Sequence, residues 1–129
     1  MGWMVLSVGL GGALGAISRY LTSLWVTGSF GQSGWIAILS ANVAGSRIMG
    51  IMAVLLTVSS LFGVLVLGFV MIGFLGALIT FSSFAHDAYN FFQRGEMLAG
   101  GLYLLSSVCL SVAGFYVGLV VVRLIAGQG

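Results

Sequence analysis

Four long apolar runs follow one another along the chain, with barely enough polar sequence between them to turn a corner. A bilayer's hydrocarbon core of roughly 30 Å takes about 20 helical residues at about 1.5 Å each. Residues 3–25 make one such run, bracketed by Trp3 and Trp25 like an interfacial belt. Residues 27–34 are polar and glycine-rich and predict a turn. A second run covers residues 35–58, with Ser59 and Ser60 marking a short turn, and a third covers residues 61–92. After the tight polar loop Gln93-Arg94-Gly95-Glu96, a fourth run covers residues 97–125. The expected fold is an all-α membrane protein, one domain over residues 1–129 with four transmembrane helices.

Charge supports the same conclusion. Sixty per cent of residues are hydrophobic and 5% are charged, against about 25% charged in a soluble domain. Arg19, Arg47, Asp87, Arg94, Glu96 and Arg123 are all there is to build a water-facing shell, so the medium outside must be lipid. A net charge of +2 without a clustered basic face gives no nucleic-acid partner. Cys109, in an apolar run, reads as a small packing residue. The N-terminal run lacks the basic flank of a secretory signal, and Gly9-Leu10-Gly11-Gly12 continues into more helix. The expected location is a bacterial inner (plasma) membrane, with several passes.

The third run is too long for one straight span. At about 1.5 Å per residue it would extend roughly 48 Å, well beyond the hydrocarbon core. It also holds Gly73, Gly76 and the polar cluster Thr80, Ser82 and Ser83. A break at mid-membrane, within residues 76–83, accounts for both features. Non-helical backbone at that depth survives only where protein, water or an ion satisfies it. An even number of spans puts both ends of the chain on one side. Arg123 on that side and Arg19 and Arg94 towards the other leave almost no positive-inside bias. Insertion in both orientations, and hence an antiparallel dual-topology dimer, is permitted.

Several residues inside the runs require a reason. Gly11 and Gly15, and Gly114 and Gly118, are spaced for close helix packing in lipid. Asn42 is either a hydrogen-bonding tie between helices or a ligand group. Tyr103, Ser107 and Ser111 fall at i, i+4 and i+8 on one helix face and form a polar rail. Serines also bond back to their own helix, so pore lining and self-satisfaction both stay open. Phe81 and Phe84 stand beside the break, and phenyl edges are positive enough to meet an anion weakly. Weak multi-site binding is what conduction needs. Arg47 lies near the middle of the second run, where an arginine costs about 2.5–3.5 kcal/mol on insertion scales. It must face protein or water, pair with an acid such as Asp87, or attract an anion. Arg19 is nearer a membrane end, and His86 reads as interfacial.

These groups suit a small anion that accepts hydrogen bonds. No metal-ligand cluster, nucleophile elbow, phosphate loop or carboxylate pair is present, so the chain is not read as an enzyme. A small proton-coupled exporter of cationic drugs needs a carboxylate deep in the membrane, and no acid precedes Asp87.

Taken together, Gly11-Gly12-Ala13-Leu14-Gly15-Ala16-Ile17-Ser18-Arg19-Tyr20, Asn42-Val43-Ala44-Gly45-Ser46 and Gly73-Phe74-Leu75-Gly76-Ala77-Leu78-Ile79-Thr80-Phe81-Ser82-Ser83-Phe84 resemble motifs of the Fluc (CrcB) family of fluoride channels. The resemblance covers nearly the whole chain. It implies an antiparallel dimer with two pores and a structural sodium ion at its centre, held by backbone carbonyls of Gly76 and Ile79. It implies a fluoride path lined by Asn42, Phe81, Phe84, Ser82, Ser83, Tyr103, Ser107 and Ser111, with Arg19 supporting a vestibule. The chain departs from the family pattern at Ala77 (usually glycine), Ile79 (threonine), Ser83 (threonine), Asp87 (glutamate) and Arg47 (phenylalanine). These departures also admit one half of a heterodimeric channel with a degenerate or non-conducting pore.

Overall fold

A computed structural model describes residues 1–31, 34–58 and 63–127. The expected turn at Ser59 and Ser60, the start of the third run and part of the 27–34 turn lie outside them. The described chain is helical: α1 (Gly2–Phe30), α2 (Gly34–Val58), α3 (Val64–Leu67), a π-helical segment (Gly68–Leu75), α4 (Gly76–Leu78), α5 (Phe81–Gln93) and α6 (Met97–Ile125). Four helical units are long and apolar enough to cross a membrane, the stretch Val64–Gln93 counting as one.

Two boundaries differ from expectation. α1 runs on through Thr27, Gly28 and Ser29, because no proline interrupts its hydrogen-bond ladder. It stops at Gly31, whose φ of 77° favours glycine. The second difference is the π-helical segment, where an ordinary helix was expected. Its carbonyls meet the glycine ridge of α1. A methyl at Gly11 or Gly15 would overlap the carbonyl of Phe69 or Phe74. The Ser7 hydroxyl donates to the Leu65 carbonyl and ties the same seam.

α2 packs chiefly on α6, again through glycine: a methyl at Gly118 would overlap the Arg47 carbonyl, and one at Gly50 that of Phe115. At Gly114 the fit is looser, with the Val43 carbonyl oxygen 3.2 Å from where a methyl would stand. Helices in lipid gain no hydrophobic drive from touching, so close backbone approach supplies the attraction.

The buried core is small. α5 presents Phe84, Ala88 and Phe91 at i, i+4 and i+7, and Tyr103 of α6 completes their cluster. Trp35 packs edge-on against it, its ring 5.8 Å from Tyr103 and 5.9 Å from Phe91. Elsewhere Trp3, Leu98, Leu105 and Tyr116 point outward. Helices apolar on every side are covered by lipid or by another chain. The expected loop after α5 closes as a Schellman motif: the Gly95 N–H donates to Phe92 O and the Glu96 N–H to Phe91 O, both at 3.0 Å.

Candidate functional site

Between α4 and α5, Ile79 (φ −80°, ψ 132°) and Thr80 (φ −140°, ψ 128°) leave helical geometry and run extended. Both residues fall within the interval 76–83. Asn42 of α2 fills the gap. Its Oδ1 accepts the Thr80 N–H at 2.8 Å, and its Nδ2 donates to the Thr80 carbonyl at 3.0 Å. The buried amide thus does for Thr80 what a neighbouring peptide would do. Of the two open readings of Asn42, the tie between helices is realised.

The next turn restarts from Thr80, whose Oγ1 accepts the Ser83 N–H at 3.3 Å as an N-cap. This has a consequence for two carbonyls. In an uninterrupted helix the Thr80 N–H would close on Gly76 and the Ser83 N–H on Ile79. Here those donors go to Asn42 and to the Thr80 hydroxyl. The Gly76 and Ile79 carbonyls, three residues apart, therefore lose their helical partners.

A cavity of about 170 Å³ opens beside the extended pair. Asn42 and Ser46 line it from α2, Ile79 and Thr80 from the gap, Phe81 and Phe84 from α5, and Ser107 and Ser111 from α6. Among the described residues no acidic side chain lines it. The two phenyl rings stand 5.4 Å apart at 59° and differ in setting: Phe84 is 6% exposed and Phe81 77%. The Thr80 hydroxyl links this cavity to a second cleft, lying 3.2 Å from Ser82 Oγ and 3.4 Å from Ser83 Oγ. That cleft, about 360 Å³, is lined by Ser82, Ser83, His86 and Asp87 with Ser23 and Ile38. Arg19 turns inward and donates from Nη1 to Ser83 Oγ at 3.1 Å.

The rail on α6 is divided. Ser107 and Ser111 face the cavity, whereas the Tyr103 ring sits in the aromatic core, 5.4 Å from Phe84. Its hydroxyl donates to Asp87 Oδ2 at 3.3 Å. Asp87 is therefore not the acid for Arg47, a correction to one pairing that the sequence left open. Arg47 of α2 is exposed. Among the described residues the only ion pair is Arg94–Glu96, at 3.3 Å and exposed.

Two polar cavity residues were absent from the expected path. Thr80 had a signal, since a threonine just before a polar helical turn is an N-cap pattern. Ser46 lies four residues after Asn42, on the same helix face.

Similarity to known proteins covers this whole arrangement. A protein of Rhizobium etli called "Fluoride-specific ion channel FluC" is 38% identical over 92% of this chain and 94% of its own length. A protein of the same name from Hahella chejuensis is 41% identical, over 92% and 93%. A third, from Francisella philomiragia, is 41% identical over 90% of this chain and 95% of its own. The profile of the family described as "CrcB-like protein, Camphor Resistance (CrcB)" matches residues 6–119. With the match extending from α1 through most of α6, the chain belongs to the CrcB family.

Proposed function

We propose that this protein is a fluoride channel of the bacterial inner membrane, conducting passively as an antiparallel dimer with two pores. One observation carries the reading: the cavity at the extended pair gathers an amide, hydroxyls and two phenyl rings, and no acid lines it. One Asn42 N–H is bound to Thr80, and the second remains to donate to an ion. Fluoride is a compact, strong acceptor that such donors recognise, while ring edges add weak attraction without a trapping charge. The absence of an acid from the cavity lining argues against a proton-coupled cation exporter.

The proposed path runs from the cleft of Ser82 and Ser83, with Arg19 behind it, past Thr80 to Asn42, Phe81, Phe84, Ser107 and Ser111. Tyr103 acts on it from the core by setting Phe84 and Asp87. On this reading the interruption at Ile79–Thr80 lies at mid-membrane, where an unwound backbone requires a partner. The Gly76 and Ile79 carbonyls, deprived of helical donors, fit a hard monovalent cation such as sodium. A bound sodium would supply a fixed positive charge and a tie across the dimer. The side chain of Ile79 plays no part in holding it.

Arg47 favours a second reading. A mid-span arginine exposed on the lone chain suits an unlike homologous partner carrying an acid opposite, in a heterodimer with one degenerate pore. Fluoride and chloride efflux from liposomes holding the purified protein tests both readings. Fluoride should leave without an imposed proton gradient, and chloride much more slowly. Flux that demands a proton gradient overturns the channel. Flux only after adding a homologous chain selects the heterodimer.

A further inference from the structure

We propose that His86 is the anion-recruiting group at the mouth of the path: protonated, it draws fluoride into the cleft it shares with Ser82, Ser83 and Asp87. The proposal rests on the reading of the protein as a fluoride channel. His86 lies two residues past Phe84 of the cavity on α5, with its side chain exposed in the larger cleft.

The balance of charge around that cleft makes the imidazole decisive. On its own helix the neighbouring charge is Asp87. From α1, Arg19 and Tyr20 face an adjoining cleft that shares Ser83 and Ser23. Arg94 borders another that shares Asp87, but its guanidinium is paired with Glu96. α2 contributes Gly34, Trp35 and Ile38, which carry no charge, and α6 contributes the Tyr103 hydroxyl, bound to Asp87. Arg19 and Asp87 thus offset each other while the imidazole is neutral. One proton on His86 tips the mouth positive.

The ring has a polar neighbour on its own helix. Asn90 Nδ2 lies 3.3 Å from His86 Nδ1, so the amide donates to the neutral ring. Turning the amide over presents its oxygen instead and accepts the N–H of the protonated ring. Histidine changes charge between about pH 5 and 8, within the range a bacterial membrane meets.

The test uses the full chain in liposomes with equal pH on both sides, subtracting the hydrogen fluoride leak of protein-free vesicles. Fluoride flux per protein should be roughly two- to fivefold higher at about pH 6 than at about pH 8. His86→Gln should flatten that profile at the lower level, and His86→Lys should hold the higher level at both pH values. Gel filtration checks that each variant keeps the wild-type assembly. A His86→Gln protein with the wild-type profile and flux overturns the proposal and leaves the channel intact. Wild-type protein that passes no fluoride at either pH, alone or with a homologous chain added, overturns the channel reading, and the proposal with it.

Discussion

Two places in this molecule bring distant stretches of chain into contact, and they do so with opposite chemistry. Along α1, Gly11 and Gly15 admit the carbonyls of Phe69 and Phe74 from the π-helical segment, and backbone touches backbone with little polar side chain involved. At the extended pair, an amide from α2 replaces the missing peptide partner, and hydroxyls from three elements border open space. The first contact leaves no room even for a methyl. The second maintains a cavity of about 170 Å³ in a chain that buries very little else. Close packing holds the helices together, and the space that packing leaves unfilled is where the chemistry collects. The comparison predicts that damage to the seam acts through folding and damage to the cavity acts through flux.

The largest effect should come from the seam. Gly15→Val forces a branched side chain into the Phe74 carbonyl, and no rotamer relieves a clash that begins at Cβ. Overpacking of this kind costs about 1–3 kcal/mol or more, and the protein should elute as aggregate in gel filtration. Gly101→Ala, where a methyl meets nothing within 4 Å, is the control and should elute as wild type. A well-dispersed Gly15→Val protein would break the comparison at its structural end.

Asn42→Ala should affect both properties. It removes the partners of the Thr80 N–H and carbonyl in a buried site, each worth about 1–3 kcal/mol when left unsatisfied. Fluoride flux should fall at least about a hundredfold if the loss of about 3 kcal/mol falls on the barrier. The protein should keep the wild-type assembly but melt earlier. Full flux in a well-folded Asn42→Ala protein removes the amide from the path. Phe81→Ile sharpens the distinction, because that ring is 77% exposed on the lone chain and contributes little to its core. Flux should drop about fivefold, consistent with loss of a contact of about 1 kcal/mol, while thermal stability stays within a degree or two. A large loss of stability with unchanged flux would make Phe81 a packing residue.

The two regions were not equally legible in the sequence. Gly11 and Gly15 announced a close approach through their spacing, because small residues four apart have one common use in lipid. The backbone that meets them did not announce itself: residues 68–75 have no composition that separates a π-helix from an α-helix, and the widened turn depends on its neighbour. At the cavity, the excess length of the third run and the Thr80, Ser82, Ser83 cluster pointed to residues 76–83, the interval in which Ile79 and Thr80 run extended. The partner of that interruption was less visible. Asn42 stood out as an amide among apolar residues, but its bond to Thr80 spans 38 positions and depends on how α2 meets the gap. Tyr103 misled in an instructive way. Its spacing from Ser107 and Ser111 is a true helical register, yet a phenol reaches farther than a serine. Its ring moves into the aromatic core while its hydroxyl finds Asp87.

Arg47 belongs to both regions and should show the smallest effect. Its carbonyl is part of the α2–α6 seam, against Gly118, and its side chain is exposed. Arg47→Phe alters only the second of these. The seam is untouched, the cavity lining does not include residue 47, and a mid-span cost of about 2.5–3.5 kcal/mol is removed. If two like copies pair with these arginines apart, flux should change less than about threefold, a barrier difference under about 1 kcal/mol, and expression should rise. If the natural partner is an unlike chain with an acid facing Arg47, the variant should lose that partner. In a mild detergent the wild-type chain would then co-purify with it and the variant would not, because truncating one member of a buried pair strands the other charge. Mass measurement of the purified assemblies separates these outcomes. A tenfold fall in flux with the wild-type assembly intact would instead place the guanidinium within electrostatic reach of the ion, and the boundary between the packing seam and the path would have to be redrawn through residue 47.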